Sequence, residues 1–140
     1  MGAGPIATMS RELKFLVVDD DAEKRFLIVY HLGREFEGVH LIECDSGAAA
    51  IAHLEKDSVH AVVTDNSMSP VNGLELIAWL RKRNATLPVV MVTGNPEIES
   101  AAFKAGASAV VSSQNFRDVA PILKQLLQFE NPDAPANPKV

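Results

Sequence analysis

Asp19, Asp20 and Asp65 each stand where an apolar, strand-like run stops. Phe15-Leu16-Val17-Val18 runs into Asp19-Asp20, and Ala61-Val62-Val63-Thr64 runs into Asp65. A third run, Val89-Val90-Met91-Val92, ends in Thr93-Gly94. In an open parallel α/β sheet, ligands bind outside the carboxyl ends of the strands, where the strand order reverses. Three carboxylates and a hydroxyl delivered to that edge make a small, strongly negative pocket. Like charges a few ångströms apart raise one another's pKa, so an ionised cluster of this kind calls for a cation. A site of oxygen ligands with few protein groups suits Mg²⁺, which prefers carboxylates, waters and phosphate oxygens. The pattern implies Mg²⁺-dependent phosphate chemistry.

Five apolar runs rich in Val and Ile predict strands near 13–19, 39–44, 60–65, 88–93 and 108–112. Most lack alternation, as expected for strands covered on both faces. Helical segments fill the gaps near 22–36, 46–56, 72–83, 96–105 and 116–129. Asp45 or Ser46 can cap the second helix, and Asn95-Pro96 starts the fourth with Pro at its first position. Gly38 and Gly106 stand where the first and fourth helices should stop. With Asp118 as cap, Pro121 falls in the first turn of the fifth helix and removes an N–H that needs no helical partner. Strands alternating with helices imply parallel pairing, right-handed crossovers and helices on both faces. The expected fold is a three-layer α/β/α sandwich at 13–129, with flexible ends at 1–12 and 130–140, the latter also readable as a linker.

At 140 residues the chain fits one domain. A formal net charge of −5 argues against nucleic-acid or anionic-membrane binding, which needs a basic face. No apolar stretch reaches the roughly 20 residues needed to span a bilayer. The lone Cys44 excludes an internal disulfide and fits a reducing compartment, so a cytoplasmic protein is expected. His31, His40, His53 and His60 share no metal-ligand spacing. Asp21 reads as a cap or surface residue, Trp79 as packing on the flank of the third helix, and Cys44 as a buried strand residue.

Placed on these elements, FLVVDDDAEKR resembles the first strand and acidic pair of a response-regulator receiver domain. TDNSMSPVNGLELI is similar to that family's third strand, acceptor loop and third helix, with the family's eight-residue spacing from Asp65 to Gly73. VVMVTGN resembles the fourth strand with its switch threonine, and AFKAGASAVV the end of the fourth helix and the fifth strand. The resemblance spans about 13–128 and implies a flavodoxin-like sheet of order 2-1-3-4-5. It also implies that Asp65 accepts a phosphoryl group from a sensor histidine kinase or a histidine phosphotransfer protein, without enzymatic turnover. Asp20, Asp65 and the Ser67 backbone carbonyl would hold Mg²⁺ directly, Asp19 would hold it through water, and Thr93 would contact the phosphoryl group. The small Gly94 would leave room for that group. An output domain or a second copy would use the face made by the fourth helix, fifth strand and fifth helix.

The departures are as informative. The family places a lysine and then a proline seven residues after the glycine of its GA pair; here these are Ser113 and Gln114, and no lysine occurs between Lys104 and Lys124. Val110 replaces the switch aromatic, and Ser69 stands at the usual proline position with Pro70 one place later. Ser113 is then either a plain strand-end hydroxyl or a residual donor to a phosphoryl oxygen. Without the lysine, the acidic pocket is expected to be more negative than in the usual member, and the output switch weaker. Two other readings remain: a pseudo-receiver acting as a phosphorylation-independent interaction module, and a phosphohydrolase of the haloacid dehalogenase type. The second has Asp19-x-Asp21 and VTGN in its favour, but Glu23 stands where that family prefers Thr, and its lysine, second acidic pair and cap domain are missing.

Overall fold

A computed structural model describes residues 12–128. Of the expected flexible ends at 1–12 and 130–140, all but Glu12 lie outside the described residues. Five strands alternate with five α-helices: β1 Lys14–Val18, α1 Ala22–Glu35, β2 His40–Cys44, α2 Gly47–Leu54, β3 Ala61–Thr64, α3 Gly73–Arg83, β4 Val89–Thr93, α4 Glu99–Ala105, β5 Ala109–Ser112 and α5 Val119–Gln128. The strands form one parallel sheet in the order β2-β1-β3-β4-β5. The chain runs outward from β1 to β2 and returns to β3 on the other side of β1. The strand order therefore reverses between β1 and β3, and that is where the crevice opens.

Each central strand feeds two cores, because successive side chains point to opposite faces. Leu16, Val18, Val62, Val89 and Met91 pack with Leu76, Ile77 and Leu80 of α3 and Ala50 of α2. Phe15, Val17, Val63, Val90 and Val92 pack on the other face with Ile28 and Leu32 of α1 and Val119 and Leu123 of α5. The double coverage expected from the unbroken apolar runs holds for β1, β3 and β4. It fails at β2, an edge strand whose His40 and Glu43 are exposed.

Local signals set the helix ends. The Asp21 side chain accepts hydrogen bonds from the Glu23 and Lys24 N–H groups and so caps α1. Ser46 caps α2 through the Ala49 N–H at 3.0 Å, which settles the choice between Asp45 and Ser46. Asn72 and Glu75 form a capping box at α3. Gly106 ends α4 at φ 119°, in the left-handed region that favours glycine. Two expected helices begin differently. Residues Pro96–Ile98 form a 3-10 turn ahead of α4, with the Asn95 side chain bonded to the Glu97 N–H. Another 3-10 segment, Ser113–Asp118, precedes α5, with Asn115 at non-helical angles. Asp118 thus closes this segment, and Pro121 lies in the first turn of α5 as expected.

Candidate functional site

Parallel pairing fixes where the acidic residues meet. Val18 of β1 lies beside Thr64 of β3, so the next residue in each strand, Asp19 and Asp65, emerges at the same level of the sheet edge. Ladder bonds hold both: the Asp65 N–H donates to the Val18 carbonyl and the Asp19 N–H to the Cys44 carbonyl, each at 3.0 Å. One carboxylate oxygen from each of Asp19, Asp20 and Asp65 lies within 4.8 Å of the others. Asp19 and Asp65 are buried, whereas Asp20 is exposed. Thr93, buried at the end of β4, accepts a hydrogen bond from the Asn95 N–H at 3.1 Å.

The loop after Asp65 is tied down by its own residues. The Asn66 side chain accepts from the Leu74 N–H at 3.1 Å, and the Asn66 carbonyl accepts from the Met68 and Gly73 N–H groups. Ser67 is exposed in this loop, and the Ser69-Pro70 peptide bond is cis. Gly73 is there for close packing: a Cβ on it would come within 2.2 Å of the Asp65 carbonyl oxygen. At Gly94 a Cβ would meet Ser113 Oγ at 3.8 Å, an ordinary contact that displaces nothing. Ser113 Oγ is buried there and makes no hydrogen bond within the described residues. Val110 is partly buried at the margin of the core on the α3 face, an aliphatic side chain where the family has its switch aromatic.

One expectation is overturned. The pocket was expected to lack a lysine, yet Lys24 reaches into it from the first turn of α1. Its Nζ lies 3.2 Å from Asp65 Oδ1 and 3.4 Å from Asp19 Oδ2, and donates to the Val92 carbonyl at 3.2 Å. The reason lies in the cap: Asp21 starts α1 so that its first turn stands above the sheet edge, and a four-carbon stem spans the remaining gap. Arg25, the next residue, donates to the Asp19 carbonyl and pairs with Glu43 at 2.9 Å, fixing the acidic loop against β2. In sequence Lys24 reads as a solvated residue of the first helical turn, so nothing there signals the contact.

Burial pushes the Asp19 carboxyl above the ordinary carboxylate range, and the nearby Asp65 charge adds to this, against the Asp21 N–H bond and Lys24. A carboxyl raised in the folded state binds its proton more tightly there than in the unfolded chain. Its contribution to stability is complete below the ordinary value and is lost as pH rises through the folded value. In metal-free protein, Asp19→Asn is therefore expected to match the parent below the ordinary carboxylate value and to be the more stable of the two at neutral pH. Urea unfolding in chelator at the two pH values checks this. A variant less stable than the parent at neutral pH would show that the Lys24 pair outweighs the burial of Asp19.

The family comparison agrees with this geometry. The response regulator receiver domain family matches residues 15–120. The chain belongs to that family. Among curated relatives, the transcriptional regulatory protein ResD of Bacillus subtilis is 33% identical over 88 residues, covering 63% of this chain and 35% of its own length. The C4-dicarboxylate transport transcriptional regulatory protein DctD of Pseudomonas aeruginosa is 29% identical over 105 residues, covering 74% of this chain and 22% of its own. This receiver domain thus spans about a third of ResD's length and less of DctD's. The fold matches the receiver domain of the Francisella response regulator 1452 with a TM-score of 0.76 at 20% identity, over 86% of this chain and 100% of that one. A putative response regulator from Chloroflexus aurantiacus matches with a TM-score of 0.71 at 25% identity, over 81% of this chain and 99% of that one.

Proposed function

We propose that this receiver domain is a phosphoacceptor of a two-component relay, taking a phosphoryl group from a phosphohistidine onto Asp65. The observation that carries the reading is the convergence of one carboxylate oxygen each from Asp19, Asp20 and Asp65 within 4.8 Å at the sheet edge. An Asp65 carboxylate oxygen attacks the phosphorus, an O–P bond forms, and the N–P bond to the donor imidazole breaks in line. The imidazole nitrogen leaves with the bonding pair and takes up a proton from solvent. The product is an acyl phosphate on Asp65, with the Thr93 hydroxyl next to it as a donor.

The donor set fits Mg²⁺. Asp20 is exposed and pairs with no cation among the described residues, and Lys24 engages only one oxygen of Asp65. Asp20, the second Asp65 oxygen and the Ser67 carbonyl would hold the ion, with Asp19 behind a bound water. When bound, Mg²⁺ neutralises charge on the acceptor and on the incoming phosphoryl oxygens. Every other part of the task falls to the protein: β1 and β3 align the carboxylates, and the Asn66 bonds keep Asp65 from drifting.

The domain acts as a stoichiometric acceptor and not as an enzyme with turnover. Its donor is a sensor histidine kinase or a histidine phosphotransfer protein. The exposed Phe26, Leu27 and Tyr30 on α1 give such a partner apolar surface close to the site. Output passes to another domain or a second copy through α4, β5 and α5. A net charge of −5 weighs against direct contact with nucleic acid, and no helix among the described residues is long and apolar enough to cross a membrane. The single Cys44 fits a cytoplasmic setting.

Incubation with acetyl phosphate is expected to add the mass of one phosphoryl group in the presence of Mg²⁺ and none in chelator. A chain that gains no mass from acetyl phosphate, phosphoramidate or a phosphorylated histidine donor would instead be a pseudo-receiver.

A further inference from the structure

We propose that Lys24 is the cation that grips the phosphoryl group on Asp65, doing from α1 what Ser113 at the end of β5 cannot. The inference rests on the phosphoacceptor reading above. Its first support is position. The Lys24 ammonium faces three oxygens: Asp65 Oδ1 at 3.2 Å, Asp19 Oδ2 at 3.4 Å and the Val92 carbonyl at 3.2 Å. Asp65 supplies the oxygen that would carry phosphorus, and Val92 precedes Thr93, which stands on the other flank. A phosphoryl oxygen lies one phosphorus atom beyond the carboxylate, within reach of the same ammonium after a small swing of its flexible stem.

The second support is that α1 gains nothing from this residue. Lys24 sits in the first helical turn, where the helix dipole disfavours a cation. Its side chain is only 21% exposed, so its charge is also partly stripped of water. What offsets both costs is the acidic pocket. The third support comes from β5: Ser113 Oγ is buried without a hydrogen-bond partner among the described residues and carries no charge. An ammonium bound to an anion is the stronger contact, because a charge-assisted hydrogen bond outweighs a neutral one.

The arrangement also divides the pocket. One Asp19 oxygen accepts from the Asp21 N–H at 2.9 Å and the other faces Lys24, so Asp19 serves chiefly to seat the lysine. Asp20, on the exposed side, stays free for the metal. Lysine and metal would then contact the phosphoryl group from different sides.

The test uses the full chain and three variants, Lys24→Met, Lys24→Arg and the double variant Lys24→Met, Ser113→Lys. The readouts are the rate of mass gain from acetyl phosphate with Mg²⁺, beryllofluoride affinity by fluorine NMR, and Mg²⁺ affinity by calorimetry. Lys24→Met is expected to slow phosphorylation and weaken beryllofluoride binding by about 10- to 100-fold, the weight of one charge-assisted contact. Its Mg²⁺ affinity should hold or rise, because a competing cation has gone. Lys24→Arg should retain part of the reactivity, and Ser113→Lys should restore part of it in the Lys24→Met background. Parent-like rates and beryllofluoride affinity in Lys24→Met would overturn the proposal and leave Lys24 as a counter-ion of the unmodified pocket. Loss of Mg²⁺ affinity together with reactivity, and no rescue by Ser113→Lys, would overturn it too, reducing Lys24 to a support of the loop. A parent chain that takes up neither phosphoryl nor beryllofluoride would remove the phosphoacceptor reading itself, and this inference with it.

Discussion

Gly73→Ala is expected to destabilise the domain by on the order of 3 kcal/mol and to slow modification of Asp65 at the same time. Two effects oppose each other at this position. Alanine is the better helix former, a gain of up to about 1 kcal/mol in a helix interior and less in a first turn. Against it, the new methyl group would lie 2.2 Å from the Asp65 carbonyl oxygen, 2.8 Å from Asn66 Cα and 2.9 Å from Met91 Cε. The first two are main-chain atoms of the acceptor loop, so no rotamer change relieves them, and overpacking of this kind wins. Relief requires the loop to move, which carries Asp65 away from Asp20 and breaks the Gly73-to-Asn66 bond of 3.0 Å. Urea unfolding and the rate of mass gain measure the two consequences. An alanine variant as stable as the parent and equally reactive would show that the loop is not held against α3 as described.

Asp20→Ala is expected to weaken Mg²⁺ binding at least about 100-fold, equivalent to roughly 3 kcal/mol. The three acidic residues are not equivalent. Asp19 is buried, with one oxygen accepting from the Asp21 N–H and the other 3.4 Å from Lys24 Nζ without a hydrogen bond among the described residues, and Asp65 Oδ1 pairs with Lys24. Of the three, Asp20 alone offers an exposed carboxylate unpaired with any described cation, so it would carry the largest share of a bound metal's anionic contacts. Removing Asp19 should cost less, since in the proposed site its contact would be through water. Calorimetry on Asp20→Ala and Asp19→Asn checks the ranking. Equal affinity in Asp20→Ala and the parent would remove Asp20 from the metal site.

The alternation of strands and helices and the parallel order were legible because β1, β3 and β4 are buried on both faces and so read as unbroken apolar runs. Their ends were legible too, since a carboxylate that stops such a run must stand at the sheet edge. Asp19 and Asp65 follow from that rule, Asp20 as the next residue, and Thr93 as the polar end of the β4 run. Asp21 was recognisable as a cap, because its neighbours begin a helix. Lys24 was not recognisable, since in sequence it belongs to DDDAEKR, which reads as a solvated first turn. Only the packing of α1 against β1 puts its ammonium against Asp65 and the Val92 carbonyl. The absence of a lysine after β5 was read correctly; the inference that the pocket held none was wrong, because it searched one strand end. The ends of the fourth and fifth helices were blurred for a different reason. Side-chain bonds from Asn95 and Ser112 to N–H groups two residues on favour tight 3-10 segments, a choice that apolar periodicity does not register.

The central claim is that Asp65 accepts the phosphoryl group, and it is tested most directly by intact-mass measurement and peptide mapping of the parent and Asp65→Asn after reaction with acetyl phosphate and Mg²⁺. The parent should gain one phosphoryl group, located on the peptide that contains Asp65, and Asp65→Asn should gain none. A gain that persists in Asp65→Asn, or that maps to another peptide in the parent, would contradict the account.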